Sequence, residues 1–244
     1  MSGRRRHPPS AKALFRATKP KRAEASATLP FDLPEQRAPE PPRRERDYYP
    51  TGSPEAVQAL ISRDGGDIRR LAPGGAVWEP ACGDGAMVRP LRAAGFEVIA
   101  TDIVDRGCPG ATVQNFYGAD RALAGAIVTN PPFCEINAWD GHGRWLRHAL
   151  DLEGWRYIAF LLSWDWPAAR ANGLGALLDA RPFAYCYLLR WKLDFTGEGS
   201  PPQRNAWFCW RADWQGPPEF RWLDREDARQ GRLLPPLDRA PRDA

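Results

Sequence analysis

The chain has 244 residues, 34 Lys/Arg against 30 Asp/Glu for a formal charge of +4, and 25 prolines. That length supports one sizeable α/β domain with a full core. Five scattered cysteines, odd in number and without a CxxC pair, argue against a disulfide frame or structural zinc and fit a reducing compartment, and no run approaches the roughly 18 apolar residues of a membrane span.

The positive charge is concentrated at the N-terminus, where residues 1–46 hold twelve Lys/Arg, five Asp/Glu and eight prolines. So little apolar surface cannot offset the entropy of ordering, and the segment reads as a disordered basic arm. Such an arm either contacts nucleic-acid phosphates or simply keeps the chain in solution. Its arginines precede no apolar stretch, so it is no secretory signal and a cytoplasmic protein is expected.

Ser53-Pro54-Glu55 opens a helix, with Ser as N-cap, Pro in the first turn and an acid at the positive dipole end. Ala56, Val57, Leu60 and Ile61 form its buried side, and Arg63-Asp64-Gly65-Gly66 is expected to end it. Ala76-Val77-Trp78 reads as a short strand entering the loop 79–85. A helix through Met87, Val88, Leu91 and Ala94 stops at Gly95, and residues 96–101 form a second strand that ends at Asp102. Strand, glycine loop, helix and strand make a βαβ unit with a parallel sheet.

Further strands are expected at 111–113 and 126–129, a helix over 138–150, and an almost unbroken apolar strand at 157–162, as in a buried parallel sheet. A helix over 167–180, weakened by Gly173 and Gly175, precedes strands at 183–189 and 206–210. The last pair is directly joined and so antiparallel. The expected architecture is α/β: a doubly wound, seven-stranded, mostly parallel sheet over residues 47–223, with an antiparallel last strand and a flexible tail from 224 to 244.

Two stretches carry the chemistry. Asn130-Pro131-Pro132-Phe133 closes the strand 126–129. Proline donates no N–H and fixes φ, so the ladder stops there. An amide side chain, carbonyls and a flat ring are left at a strand's carboxyl end, where open α/β sheets bind ligands. These groups suit a planar, amino-bearing substrate.

The second stretch is Glu79-Pro80-Ala81-Cys82-Gly83-Asp84-Gly85. Its glycines let the backbone pass close to a ligand at a helix N-terminus. A dinucleotide is the first rival, but the third glycine of GxGxxG is missing and Glu79 and Asp84 would repel a pyrophosphate. A cationic ligand suits the loop better. Asp102, 19 residues after Gly83, is placed for a ribose diol. A ribose, an adenine and a positive amino-acid end in one ligand describe S-adenosylmethionine. The three histidines, His7, His142 and His148, form no metal-ligand spacing.

Residues 79–85 resemble motif I of class I S-adenosylmethionine-dependent methyltransferases. Asn130–Phe133 resembles motif IV of those that methylate exocyclic or amide nitrogens. Over about residues 47–211 the chain looks most like the small phage- or prophage-type DNA adenine N6-methyltransferases. Asp47-Tyr48-Tyr49-Pro50-Thr51 resembles their motif X, and the order X, I, IV their gamma arrangement. The resemblance implies a Rossmann-like sheet, S-adenosylmethionine as cofactor, and double-stranded DNA with a flipped target base as partner.

It further implies that Tyr49 and Thr51 lie near the methionine end of the cofactor. Glu79 and the backbone of Ala81, Cys82, Gly83 and Gly85 would surround the methionine portion, and Asp102 would bind the ribose. Ile103 and Phe116 would pack on the adenine ring, with Asn115 near its amino group and Asn130 shared by both ligands. The Asn130 oxygen and a carbonyl of Pro131 or Pro132 would accept the target's N–H hydrogens, and Phe133 would stack on the base. Cys134 lacks the Pro-Cys setting of a 5-methylcytosine nucleophile and is expected to pack.

Trp164 and Trp166 end the apolar strand and either line the base pocket or belong to the core. In gamma-type relatives the loop between the last two strands approaches the base, which makes Phe195 a candidate wall and Lys192 and Arg204 candidate phosphate contacts; the other reading is ordinary loop charges. No large target-recognition domain fits after Trp210, so selectivity falls to inserts such as 134–142 and 192–205, or to a partner. The same turn suits cytosine N4, an RNA base or a protein glutamine amide, and a non-catalytic module holding cofactor and DNA is the alternative outside the enzymes.

Overall fold

The computed structural model describes residues 54–137, 142–168, 173–195 and 203–233. The basic arm, Tyr49, Thr51 and the Ser53 cap lie outside the described residues. In chain order the helices are α1 (Glu55–Leu71), α2 (Val88–Ala93), α3 (Phe133–Ile136), α4 (Arg144–Asp151), α5 (Leu174–Ala180) and α6 (Arg225–Leu233). The strands are β1 (Ala76–Glu79), β2 (Glu97–Asp102), β3 (Thr112–Val113), β4 (Ala126–Thr129), β5 (Tyr157–Ser163), β6 (Tyr185–Leu189), β7 (Asn205–Arg211) and β8 (Glu219–Leu223).

All eight strands join one sheet in the order β3-β2-β1-β4-β5-β7-β6-β8. Only β7 runs against its neighbours: it pairs antiparallel with β5 and β6, while β8 returns parallel to β6. The sheet is covered on both faces, because alternate residues of a strand point to opposite sides. Along β5, Tyr157, Ala159 and Leu161 join the core beneath α1 and α2, whereas Ile158, Phe160 and Leu162 join the core beneath α4 and α5. No described helix is long and apolar enough to cross a membrane.

Three expectations are corrected. The sheet has eight strands rather than seven, the eighth being β8. Its sequence hides it because Arg221, not an apolar side chain, faces the core: its guanidinium lies 3.7 Å from the Tyr185 ring centroid and donates to the Tyr187 hydroxyl at 2.9 Å.

Arg63-Asp64-Gly65-Gly66 does not end α1, which continues to Leu71. Ile61, Asp64, Gly65 and Ile68 repeat at i, i+3, i+4 and i+7 and are all buried, so they form a single helical face with a carboxylate inside it. The Tyr157 and Tyr187 hydroxyls donate to Asp64 at 2.8 and 2.5 Å, which anchors the helix to β5 and β6.

Residues 225–233 of the supposed tail form α6. Asp224 and Asp227 cap it reciprocally: the Asp224 carboxylate accepts from the Glu226 and Asp227 N–H groups, and Asp227 accepts from the Asp224 N–H at 2.9 Å. Arg63 reaches Asp227 at 2.7 Å and joins this helix to α1. Of the helices expected over 138–150 and 167–180, α4 is described from Arg144, after a left-handed Gly143, and α5 from Leu174, after a left-handed Gly173, while 138–141 and 169–172 lie outside the described residues.

Burial raises the Asp64 pKa, and the two tyrosine hydrogen bonds act against that rise. Asp64→Ala leaves the Tyr157 hydroxyl without its carboxylate acceptor and removes one partner of Tyr187. It is expected to destabilise the fold by roughly 2–4 kcal/mol, read as a lower urea midpoint with an unchanged slope.

Candidate functional site

The sheet order reverses direction between β1 and β4, since β2 and β3 lie on one side of β1 and β4 on the other. At such a switch point the connections leave a crevice at the strands' carboxyl ends. A cavity of about 540 Å³ opens there, lined by the ends of β1, β2 and β4 and by the loops that follow them.

β1 delivers Glu79, which is fully buried. Its Oε1 accepts from the Thr129 hydroxyl at 2.6 Å and from the Ala81 N–H at 3.0 Å, while Oε2 has no hydrogen-bond partner. Burial pushes the carboxyl up to about 8; the two hydrogen bonds oppose the shift and neighbouring Asp102 adds to it. Without a cation nearby, Glu79 is therefore largely protonated at neutral pH.

The loop then turns through Gly83, whose φ of +54° suits a residue without Cβ. The Gly83 N–H donates to Asp102 Oδ2 at 2.9 Å, and the Val104 N–H donates to Oδ1 at 3.1 Å. Asp102 is thereby fixed at the end of β2 with both oxygens oriented by backbone donors, and Arg106 lies 3.9 Å from Oδ1.

Of the residues expected around a cofactor, Glu79, Ala81, Cys82, Gly83, Asp102, Ile103, Asn115 and Phe116 all line the cavity. Asn115 spends its side-chain oxygen on the Tyr117 N–H at 3.1 Å, capping the turn Phe116–Gly118. Phe116 stacks on Trp145, with ring centroids 4.0 Å apart and 25° between planes. Ile103 is half exposed. Gly85 does not line the cavity. Its φ is +85°, and a Cβ there would meet Cys108 Sγ at 2.9 Å, so its role lies in the turn and its packing.

Asn130, Pro131, Pro132 and Phe133 line the same cavity from β4. Pro132 precedes the short helix α3, and Phe133 packs on the core beneath α4. Cys134, expected to pack, also lines the cavity and is half-buried.

The outer candidates do not converge there: Trp164, Trp166, Lys192, Phe195 and Arg204 are not among the lining residues. Trp166 is a core residue, tilted against Phe208 and edge-on to Trp210, with its indole N–H on the Ile136 carbonyl at 3.0 Å. Phe195 packs on the opposite core. Trp164, Lys192 and Arg204 are exposed.

The structure adds Met87, Arg106, Tyr117, Glu135 and Trp145 to the lining. The Tyr117 hydroxyl donates to Glu135 at 2.7 Å, and Arg144 grips the same carboxylate at 2.9 Å. This bridge across separate loops carries no sequence signal, because its three residues come from unrelated segments. Trp145 falls within the helix expected over 138–150, and nothing in that pattern marks it as a wall of the site.

No family model matches the chain, and no curated protein matches it. Among solved structures it is similar to a candidate RNA methyltransferase from Pyrococcus horikoshii (12% identity, 64% of this chain and 80% of that one, TM-score 0.48). It is also similar to the methyltransferase subunit of a type I restriction-modification system from Streptococcus thermophilus (13%, 73% and 47%, TM-score 0.49). A third is magnesium protoporphyrin IX methyltransferase from Synechocystis with its cofactor bound (14%, 64% and 79%, TM-score 0.45). Identities this low leave the chemistry of the chain to be read from its own cavity.

Because the folded pKa of Glu79 is raised, its favourable contribution is complete below the ordinary carboxylate range and is lost as pH rises towards about 8. Glu79→Gln mimics the protonated form. Its thermal stability should stay flat across that window while the wild type declines, the gap reaching roughly 3–5 kcal/mol at about 1.4 kcal/mol per pH unit. Parallel melting curves at acidic and mildly alkaline pH check this.

Proposed function

We propose that the chain transfers a methyl group from S-adenosylmethionine to the exocyclic N6 nitrogen of adenine in DNA. One observation carries the reading: the acidic glycine loop, Asp102 and the Asn130–Phe133 turn line a single cavity. Its two halves match the two ligands such a reaction needs.

The residues fit the cofactor. Glu79 Oε2 is a buried acceptor without a partner, which the ammonium of an amino-acid end would satisfy. Asp102, already held by two backbone donors, keeps acceptor capacity for ribose hydroxyls. Ile103 and Phe116 supply apolar surface for a purine. S-adenosylmethionine would bring a sulfonium methyl, an electrophile that needs no activation by metal or acid.

The protein's task is then to prepare the nitrogen. An exocyclic amino group is a poor nucleophile because its lone pair is delocalised into the ring. Acceptors at Asn130 and at a prolyl carbonyl would hold both N–H hydrogens, favour tetrahedral geometry and localise the pair. Its proton becomes acidic only as the new N–C bond forms, so no strong general base is required. Phe133 would stack on the extruded base, offsetting a few kcal/mol or so of lost stacking. Positioning and exclusion of water account for the acceleration. Adenine and DNA, rather than cytosine, RNA or a glutamine amide, rest on the resemblance of the Asn-Pro-Pro-Phe turn and of the motif order.

The test incubates the protein with labelled S-adenosylmethionine and DNA, RNA or protein, and identifies the methylated product. Label in N6-methyladenine from DNA is expected; label only in RNA or glutamine replaces the reading. Asn130→Ala should abolish transfer and leave cofactor affinity within a few-fold, and near-wild-type turnover would refute the mechanism. Cofactor binding at neutral pH should also release a proton from Glu79, so affinity rises with pH up to about 8. Calorimetry in buffers of different ionisation enthalpy measures that proton, and Glu79→Gln should abolish its release.

A further inference from the structure

We infer that the rim of the sheet beyond the cavity, across β5, β7, β6 and β8, is a track for an unpaired strand of DNA; this rests on the DNA reading above. Four exposed residues stand along it in the order of the strands: Trp164 after β5, Arg204 before β7, Arg190 after β6 and Trp222 near the end of β8. Because β7 is antiparallel, its beginning falls on the same edge as the ends of the others.

The four are joined physically. The Trp164 N–H donates to the Arg204 carbonyl at 3.1 Å, and Arg204 Nη1 donates to the Arg190 carbonyl at 3.4 Å. The Arg190 guanidinium lies 4.9 Å from the centroid of the Trp222 ring. β5 pairs with β4, the strand that delivers Asn130, so the row starts beside the cavity and runs to the sheet's edge.

Two indoles flank two guanidiniums, a combination that suits a nucleic-acid strand. Indole faces stack on bases of any sequence, and arginines bind phosphates and stack on rings. Trp164 and Trp222 are each 50% exposed, and Phe220 lies behind Trp222 along β8, with its ring 4.9 Å away. In a duplex the base faces are hidden in the stack, so half-bare rings fit an unpaired strand better. The charge balance is modest. Lys192 adds a cation on this rim, whereas Asp165, which accepts from the Ser163 hydroxyl, and Asp194 bring carboxylates. A track of this kind makes few phosphate contacts and relies on stacking.

The experiment titrates full-length protein into fluorescent oligothymidine, which lacks adenine and so reports the track rather than the pocket, at several salt concentrations. Trp164→Ala and Trp222→Ala are each expected to weaken binding roughly tenfold, and Trp222→Phe to restore most of it. The Arg190→Ala, Arg204→Ala double variant should weaken binding and reduce the slope of log affinity against log salt by about 1.4. Cofactor affinity, measured by calorimetry, should be unchanged in every variant and so establishes that each is folded.

Wild-type oligothymidine affinity in the variants overturns the track and leaves the adenine reading intact. Tighter binding of oligouridine or of duplex DNA also overturns it. Weakened variants combined with no label in any DNA overturn the adenine reading while the track stands.

Discussion

The hydrogen bond from the Thr129 hydroxyl to Glu79, 2.6 Å long and fully buried, is the contact on which the site depends. Glu79 ends β1 and opens the glycine loop; Thr129 ends β4 and directly precedes Asn130. The bond therefore fixes the register of the two halves of the cavity. It also explains how a carboxyl can be tolerated where no water reaches it. One oxygen is saturated by Thr129 and the Ala81 N–H, and protonation relieves the charge until a cation arrives. Burial favours the neutral acid in the empty site, which couples ligand charge to proton release.

Much of this was legible in the sequence because the informative groups sit where regular structure stops. Asn130-Pro131-Pro132-Phe133 marks a strand end by chemistry alone, and Gly83 and Asp102 sit at the spacing a βαβ unit brings together. The six inner strands of the sheet follow from apolar runs in the same manner. What was not legible is instructive for one shared reason: polar groups facing inward. Asp64 breaks the apparent apolar face of α1, and Arg221 breaks that of β8. Asp64 is buried and Arg221 half-buried, both against tyrosines contributed by distant strands. A one-dimensional pattern cannot show that a charge has found partners many residues away. The Tyr117–Glu135–Arg144 bridge was invisible on the same ground.

The helix α6 is a different case, because its signal was present. Asp224 and Asp227 form a reciprocal cap that can be read from spacing alone. The proline-bearing, charged composition around it masked a nine-residue helix whose inner side rests on α1 through Arg63 and Asp227. Local capping chemistry outweighs average composition when a tertiary contact is available to reward it.

The outer strands show how a short segment serves two ends without conflict. β8 alternates: Arg221 and Leu223 face the core beneath α1, while Phe220 and Trp222 face the other side. The inner set secures the strand, since Arg221 reaches the Tyr187 hydroxyl that also binds Asp64. The outer set is left half exposed, with Trp222 touching Phe220 and Arg190. That separation follows from the two-residue period of a strand. It accounts for a sheet that extends beyond what its cavity requires. The strands nearest the switch point line the cavity, and those outside them form an edge whose position relative to Asn130 the ladder sets. A recognition surface built on such an edge needs no separate domain, because the sheet's own hydrogen-bond ladder sets its position relative to the reacting atom.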